Sequence, residues 1–165
     1  MLTGILRRTV EARGDTVAGW AQRGLFDRIG VRRLVVEPDP YGNPLLIGSV
    51  WATARDWGRI GLLYLQDGTW RGQRVLPEGW ATRVRTPAPA WKPPDYGAGF
   101  WLDGEHKFPL PPDVFFMLGV GRNAAYVVPS RQLVIVRMGY ALGGSAYGKT
   151  RDQVLKGILG ALGPT

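Results

Sequence analysis

Serine and histidine are the residues of this sequence that could supply a nucleophile and its base, because cysteine is absent. There are three serines, at positions 49, 130 and 145. A serine hydroxyl is a weak nucleophile until a base takes its proton, and Ser-x-x-Lys on a helix places an amine one turn away on the same face. The residues three positions after the serines are Ala52, Leu133 and Gly148. None is lysine, so the sequence predicts no Ser-x-x-Lys nucleophile within this chain.

The sequence also lacks the residues for a Gly-x-Ser-x-Gly nucleophile, a serine–histidine–acid triad and a metal site. The segment Gly144-Ser145-Ala146-Tyr147 comes near Gly-x-Ser-x-Gly, but it has neither the spacing nor a predicted strand before it. The single histidine, His106, lies in a polar segment (103–107) with no acid or serine partner at a recognisable spacing, so we interpret it as a solvated loop residue. One histidine and no cysteine exclude a multi-histidine or cysteine-ligated metal site. We therefore expect no catalytic residue, no metal and no cofactor.

The charge of the chain raises the question of a nucleic-acid partner. Its 165 residues carry a formal charge of +8, and 17 arginines and 4 lysines make up the 21 basic residues. Only two pairs of arginines are adjacent, at 7–8 and 32–33, so we expect an arginine-rich solvated surface and no nucleic-acid partner. No apolar stretch approaches the roughly 20 residues of a membrane helix. The first 13 residues lack the order of a signal peptide. We expect no membrane partner, and the compartment stays open.

Hydrophobic periodicity predicts helices in the first half of the chain and at its end. The predicted helices cover residues 2–11, a stretch that follows Asp15 and stops by Gly30, residues 53–66, a short helix opening at 76–80, and residues 151–162. Asp15 and Thr150 are the expected caps of the second and last helices, and Pro77 is expected at the first position of the short one. Thr53 and Asp56 form a variant of the capping box, and Gly68 is the expected left-handed C-cap.

The last helix is expected to turn five apolar side chains toward the core, namely Val154, Leu155, Ile158, Leu159 and Leu162. Between the second and third helices, residues 31–48 are predicted as a loop because prolines recur at positions 38, 40 and 44. The first helix begins at residue 2 without a capping residue. A natural domain seldom opens within a periodic pattern, so this start is a first hint that residues upstream are missing.

The second half of the chain has the composition of strands. The segments rich in Val, Phe, Tyr and Trp are Gly97–Leu102, Val114–Gly119, Ala124–Val128 and Gln132–Met138. The turn at 128–131 predicts that the last two pair as an antiparallel hairpin. Helices, then antiparallel strands, then a C-terminal helix predict the α+β class.

Several segments resemble the serine β-lactamase-like hydrolases, the superfamily of class C β-lactamases, penicillin-binding proteins, esterases and 6-aminohexanoate-dimer hydrolases. The resembling segments are Ala52–Gly61, Leu65–Gly72, Leu76–Trp80, Tyr96–Trp101 and the paired strands from Tyr126 to Gly139. Their order and spacing agree over roughly Leu2 to Leu162. The resemblance implies part of a β-lactamase/transpeptidase-like fold.

The resemblance also implies an acyl-enzyme mechanism, with Ser-x-x-Lys, a Tyr-x-Asn motif and a third box on a strand. In such proteins the nucleophile lies well upstream of the first helix seen here. We therefore interpret Met1 as an internal methionine and residues 1–165 as the C-terminal portion of such a hydrolase, truncated at its N-terminus. The complete protein would cleave a small-molecule ester or amide, and this portion would be inactive alone. The alternative is a non-catalytic binding or interaction domain that retains the scaffold.

The resemblance implies one stretch that lines the substrate cleft. Gly119, Val120, Gly121, Arg122 and Asn123 occupy the position of the third box, where a backbone N–H helps to stabilise the oxyanion. Similar proteins tend to carry Gly-x-x-Gly-Gln there, so Arg122 and Asn123 depart from the pattern. A β-turn between two strands is the simpler interpretation.

A second candidate follows from the Tyr-x-Asn motif. Tyr41-Gly42-Asn43 fits it literally, which makes Tyr41 a candidate for the cleft rim, whereas a turn with Gly-Asn at its tip is the simpler alternative.

Truncation would also leave an edge of the sheet unpaired, through which the chain could associate with itself.

Overall fold

The computed structural model describes residues 2–45, 48–140 and 145–163. The chain divides into two compact units, Met1–Ile60 and Gly61–Thr165, which are described one at a time. No helix in the described ranges is long and apolar enough to cross a membrane.

The first unit begins with two helices. α1 spans Leu2–Glu11, and α2 spans Val17–Ala21 before it continues as a π-helical turn (Gln22–Phe26) and a 3₁₀ turn (Asp27–Ile29). The chain leaves this helical stretch at Gly30, as predicted, with a left-handed φ of 72°.

The predicted cap of α2 is wrong by one residue. Thr16 is the N-cap, because its Oγ1 accepts the Gly19 N–H at 3.1 Å. The Asp15 carboxylate accepts the Thr16 N–H at 2.7 Å and pairs with the Arg23 guanidinium instead. The hydrogen bonds that Asp15 accepts from Arg23 and from the Thr16 N–H, together with the charge of Arg23, lower the pKa of Asp15 below its ordinary value.

A short antiparallel ribbon corrects the prediction of a loop after Gly30. β1 (Leu34–Val36) pairs with β2 (Val50–Ala52), with Val35 opposite Trp51. An isolated bridge between Pro38 and Pro44 continues the pairing toward the turn. Prolines at these positions do not prevent pairing, because an edge or bridge residue need not donate an N–H to a neighbouring strand.

The helix that follows has the cap that the sequence predicts. α3 spans Ala54–Leu65, and the Asp56 N–H donates to Thr53 Oγ1 at 3.2 Å while the Thr53 hydroxyl donates to Asp56 Oδ2 at 2.8 Å. Asp56 is buried, and Arg59 Nη1 lies 2.6 Å from its Oδ1. A buried carboxylate requires such partners, because an unpaired charge is costly to remove from water.

The second unit opens with the end of α3 and its C-cap. Gly68 is left-handed, with a φ of 78°, and its N–H donates to the Leu63 carbonyl at 2.7 Å, which confirms the predicted cap. β3 (Thr69–Trp70) and β4 (Gln73–Arg74) form a small hairpin around Arg71 and Gly72.

The short helix begins later than predicted. α4 spans Trp80–Arg85, and its N-cap, Gly79, is left-handed, so the helix cannot open at Pro77. The Asp67 carboxylate accepts the N–H groups of Gly79 and Ala81 at 3.2 and 3.3 Å, which satisfies donors at this helix start.

The core of the second unit is a four-stranded antiparallel sheet in the order β5-β6-β7-β8. Its strands are β5 (Trp101–Leu102), β6 (Phe115–Leu118), β7 (Ala124–Val128) and β8 (Leu133–Arg137). The last three confirm the prediction. β5 is shorter than the predicted strand because the chain turns before it, with Gly99 left-handed and the Gly97 N–H bonded to the Phe100 carbonyl at 2.8 Å.

Both faces of this sheet are covered. All five residues of β7 are buried, and their side chains alternate between two apolar clusters. One cluster contains Tyr126 together with Leu155 of the last helix, and the other contains Val127 together with Val84 of α4. A central strand buried on both faces explains why β7 reads as a continuous apolar run.

The C-terminal helix differs from the prediction at its start and on its faces. α5 spans Ser145–Ala161, so Thr150 lies within it and is not its cap. Leu155 is buried, but Val154 and Leu162 are 52% and 55% exposed. The side chains that face the sheet form a narrower stripe than predicted. Helices, an antiparallel sheet and a terminal helix confirm the α+β class.

Candidate functional site

The loop between β6 and β7, residues 119–123, contains five of the six predicted site residues and brings them together. It closes through the Gly119 N–H, which donates to the Asn123 carbonyl at 2.8 Å. Its backbone is left-handed at two successive positions, Gly121 (φ 72°) and Arg122 (φ 67°). Glycine adopts this conformation freely, whereas arginine does so at a cost of about 1–2 kcal/mol. Arg122 therefore keeps the backbone shape that a glycine would adopt.

Two polar side chains connect this loop to the end of β8. Arg137 Nη1 donates to the carbonyl oxygens of Gly121, Arg122 and Gly139 at 3.1, 3.0 and 2.6 Å. The Asn123 side chain donates from Nδ2 to the Val120 carbonyl and accepts the Gly139 N–H at Oδ1, each at 2.8 Å. Arg137 is not among the residues that the sequence predicts for the site. Its signal was a charged residue that ends an otherwise apolar strand.

The outer surface of the loop is apolar and tightly fitted. Val120 is 89% exposed and Tyr140 is 76% exposed. A Cβ built on Gly121 would lie 2.8 Å from Tyr140 Cδ2, so only glycine allows this approach. The loop can therefore present backbone groups and an apolar side chain to a ligand.

Tyr41, the sixth predicted site residue, lies in the first unit, on an exposed turn. Asp39 organises that turn, because its Oδ1 accepts the N–H groups of Tyr41 and Asn43 at 2.9 and 2.8 Å. The Asn43 amide donates to Asp39 Oδ2 at 2.8 Å. This hydrogen bond, with those from the backbone, holds the pKa of Asp39 below its ordinary value of 3.8. The Asn43 side chain thus has a structural partner, and Tyr41 is 79% exposed.

Two of the serines and the histidine can be placed. Ser130 donates from its hydroxyl and its N–H to the Asp113 carboxylate, at 2.8 and 2.6 Å, which ties the β7–β8 turn to the segment before β6. Ser49 lies in a loop with a φ of 59°, and His106 lies in an exposed loop with a φ of 51°. Ser145 is the first residue of α5, and its side chain lies outside the described parts of the chain.

One shallow cavity of about 170 Å³ lies in the second unit, beside Asp103 and Asp113. The Asp103 carboxylate accepts the N–H groups of Lys107 and Phe108 at 2.6 and 3.1 Å, so both acids serve local structure. Across the described residues, no three histidine or acidic side chains are grouped so that they could hold a metal ion.

Comparison with solved structures gives this arrangement a context. The first similar structure is a protein described as a 6-aminohexanoate-dimer hydrolase from Bacillus anthracis, with a TM-score of 0.73 and 19% identity over 90% of this chain. A protein described as a β-lactamase from Bacteroides dorei matches 88% of the chain at 16% identity, with a TM-score of 0.60. A β-lactamase from Mycobacterium bovis matches 87% at 14% identity, with a TM-score of 0.65. The chain has part of a β-lactamase-like fold.

The β-lactamase-like fold is present here over part of its length. The chain covers 39%, 52% and 55% of these three proteins. No protein-family model and no curated protein matches the sequence. The structural similarity therefore establishes the fold of this chain, and the activity of a complete β-lactamase-like protein is a separate question.

Proposed function

We propose that residues 1–165 are the C-terminal portion of a serine hydrolase that forms an acyl-serine intermediate with an ester or amide substrate. One observation carries the proposal. About nine-tenths of this chain follows the β-lactamase-like fold, yet the chain covers only 39–55% of the matched proteins. The serine census is consistent with this, because no serine of the chain is followed by lysine at the required spacing.

In this proposal the chain supplies the cleft wall and the nucleophile comes from outside these residues. The β6–β7 loop would face the scissile carbonyl, where preorganised backbone N–H donors stabilise the oxyanion of the tetrahedral intermediate. Removal of one such donor costs about 10²–10³ in kcat in a well-studied protease. The serine attacks the carbonyl carbon, the leaving alcohol or amine departs with a proton, and water then hydrolyses the acyl-serine.

The Ser130–Asp113 pair is a structural link under this proposal. A nucleophilic serine needs a base that takes its proton, and a third group holds that base in the correct orientation. Both Asp113 oxygens accept from Ser130, and the pair joins a 3₁₀ turn to the preceding loop. Asp113 thus holds the turn between β7 and β8 in place, and we assign Ser130 no nucleophilic role.

The departures at Arg122 and Asn123 favour a second candidate, a binding domain that keeps the scaffold without the chemistry. The left-handed φ of Arg122 reduces the weight of this argument, because the backbone shape that glycine would adopt is retained. The two functions differ in whether a serine of the complete protein is acylated by the substrate.

Covalent labelling tests the proposal. The coding sequence upstream of Met1 is read in frame, the extended protein is expressed, and both proteins are treated with a fluorophosphonate probe and measured by intact mass. We expect the extended protein to be labelled once, on a serine followed three residues later by lysine, and the 165-residue chain to stay unlabelled. Stoichiometric labelling of the 165-residue chain would overturn the proposal. An extended protein with no reactive serine would favour the binding domain.

A further inference from the structure

Arg137 occupies an unusual position at the end of β8. One of its guanidinium nitrogens, Nη1, contacts three backbone carbonyls, two in the β6–β7 loop and one at Gly139. A guanidinium is a rigid fork of donors with no acceptor, and hydrogen bonds from a charged donor are among the stronger ones in proteins. Arg137 therefore joins the loop to the strand end through its side chain.

Asn123 holds the same two segments from the other direction. Its amide group bridges the Val120 carbonyl and the Gly139 N–H, and its own carbonyl accepts the Gly119 N–H. Together, Arg137 and Asn123 bond to the backbone of four of the five loop residues, 119–122, and to the backbone of Gly139 after β8.

The orientation of the carbonyls has a consequence for the opposite side of the loop. In a trans peptide the C=O and N–H groups point in opposite directions. Because the Gly121 and Arg122 carbonyls point toward Arg137, the N–H groups of Arg122 and Asn123 point away from it. Arg137 thus sets the direction of two successive backbone N–H groups.

The loop needs such support because its backbone is strained at Arg122. A left-handed non-glycine residue persists when the surrounding structure over-determines it. We propose that Arg137, assisted by Asn123, is a positioning residue that fixes the β6–β7 loop in the conformation required to present its backbone N–H groups to substrate. The inference rests on the proposed function, in which this loop lines the cleft.

Amide exchange in the 165-residue chain tests the positioning directly. The variants are Arg137→Met, which removes the donors, and Arg137→Lys, which restores a cation with fewer of them. Arg131→Met is the matched control, since Arg131 Nη2 donates to the Gly163 carbonyl at 2.5 Å at the opposite end of the same hairpin. We expect Arg137→Met to speed exchange of the Gly119 and Gly139 amides, which are hydrogen-bonded to Asn123, by about tenfold or more, with β7 amides unchanged. Arg137→Lys should restore part of the protection.

Two outcomes of the exchange experiment would overturn the inference. One is parental exchange in the loop of Arg137→Met. The other is an equal effect of Arg131→Met on the loop, which would indicate a general loss of stability.

The functional arm uses the extended protein. If that protein hydrolyses an ester, Arg137→Met should lower kcat by about tenfold or more with little change in KM, because a preorganised donor acts mainly in the transition state. An unchanged kcat would overturn the role in presenting donors. If no serine of the extended protein is acylated, the proposed function fails. The exchange experiment still decides whether Arg137 positions the loop.

Discussion

At the scale of single residues, Arg122 retains a conformation that glycine adopts more easily. Its side chain departs from the Gly-x-x-Gly-Gln pattern, but its φ of 67° is left-handed. The hydrogen bonds that Arg137 and Asn123 make around it offset the strain. A change of side chain at this position therefore need not change the backbone that a ligand would meet.

The backbone strain can be measured by comparison of two variants that both remove the Arg122 side chain. We expect Arg122→Gly to unfold with a free energy about 1 kcal/mol greater than that of Arg122→Ala, because only alanine retains the left-handed penalty. Urea denaturation gives both values. Arg131, in the 3₁₀ turn, is the control position, where alanine should be at least as stable as glycine. Equal stabilities of the Arg122 variants would contradict the strain.

A second residue-scale prediction concerns the turn that carries Tyr41. The Asn43 side chain lowers the pKa of Asp39, so the turn is stabilised above the ordinary pKa of 3.8 and loses that contribution as the pH falls through the lowered value. We expect the Asn43→Ala variant to raise the pKa of Asp39 toward 3.8. A carboxyl-detected NMR titration would show the change. An unchanged pKa would mean that the backbone N–H donors hold the carboxylate without Asn43.

At the scale of elements, local signals predicted what is locally determined. The capping box of α3 involves Thr53 and Asp56, three residues apart, and it is correct. The strand β1 was missed because its partner, β2, lies 14 residues further along, so the pairing is not encoded in a short window. Thr150 has the spacing of a cap, because Gln153 follows it by three residues, but α5 begins five residues earlier.

In the candidate site too, the locally determined turn was predicted, and the long-range contact of Arg137 was not. The glycines of the β6–β7 loop signal a turn between two strands, and the turn is found there. Arg137 could not be assigned from the sequence, because it reaches Gly121 across 16 residues through a side chain whose direction depends on the sheet. Only the register of β6, β7 and β8 brings that strand end beside the loop.

The capping box allows a direct test at this scale. Thr53→Ala removes the oxygen that accepts the Asp56 N–H, and we expect it to lower the free energy of unfolding by about 1 kcal/mol. Thr53→Ser keeps the hydroxyl and should retain most of the stability. Chemical denaturation compares the two variants. Similar losses in both would show that the Thr53 methyl group, and not the cap, provides the stabilisation.

At the scale of the whole molecule, the sheet ends at β8 among the described strands, where the outer backbone edge has no neighbouring strand. Met138, directly after β8, is 43% exposed. Edge strands of this kind promote association unless charges or prolines protect them. Under the proposed function, strands outside this chain would cover the edge in the complete protein.

We therefore expect the 165-residue chain to associate as its concentration rises. Met138→Lys should weaken association, because lysine at an edge opposes strand pairing. Val154→Lys is the matched control, since it adds the same charge at an exposed position of α5. Sedimentation velocity over a dilution series measures the effect. A monomer at all concentrations that melts cooperatively would argue against truncation.

The complete burial of β7 limits how its sequence can vary. In a half-exposed strand, every second position tolerates polar residues, because one face meets water. β7 has no such position, since Ala124 through Val128 are all at most 4% exposed. In a saturation library of this chain, these five consecutive codons should form an unbroken block in which polar substitutions are depleted. The flanking strands, β6 and β8, should each retain tolerant codons.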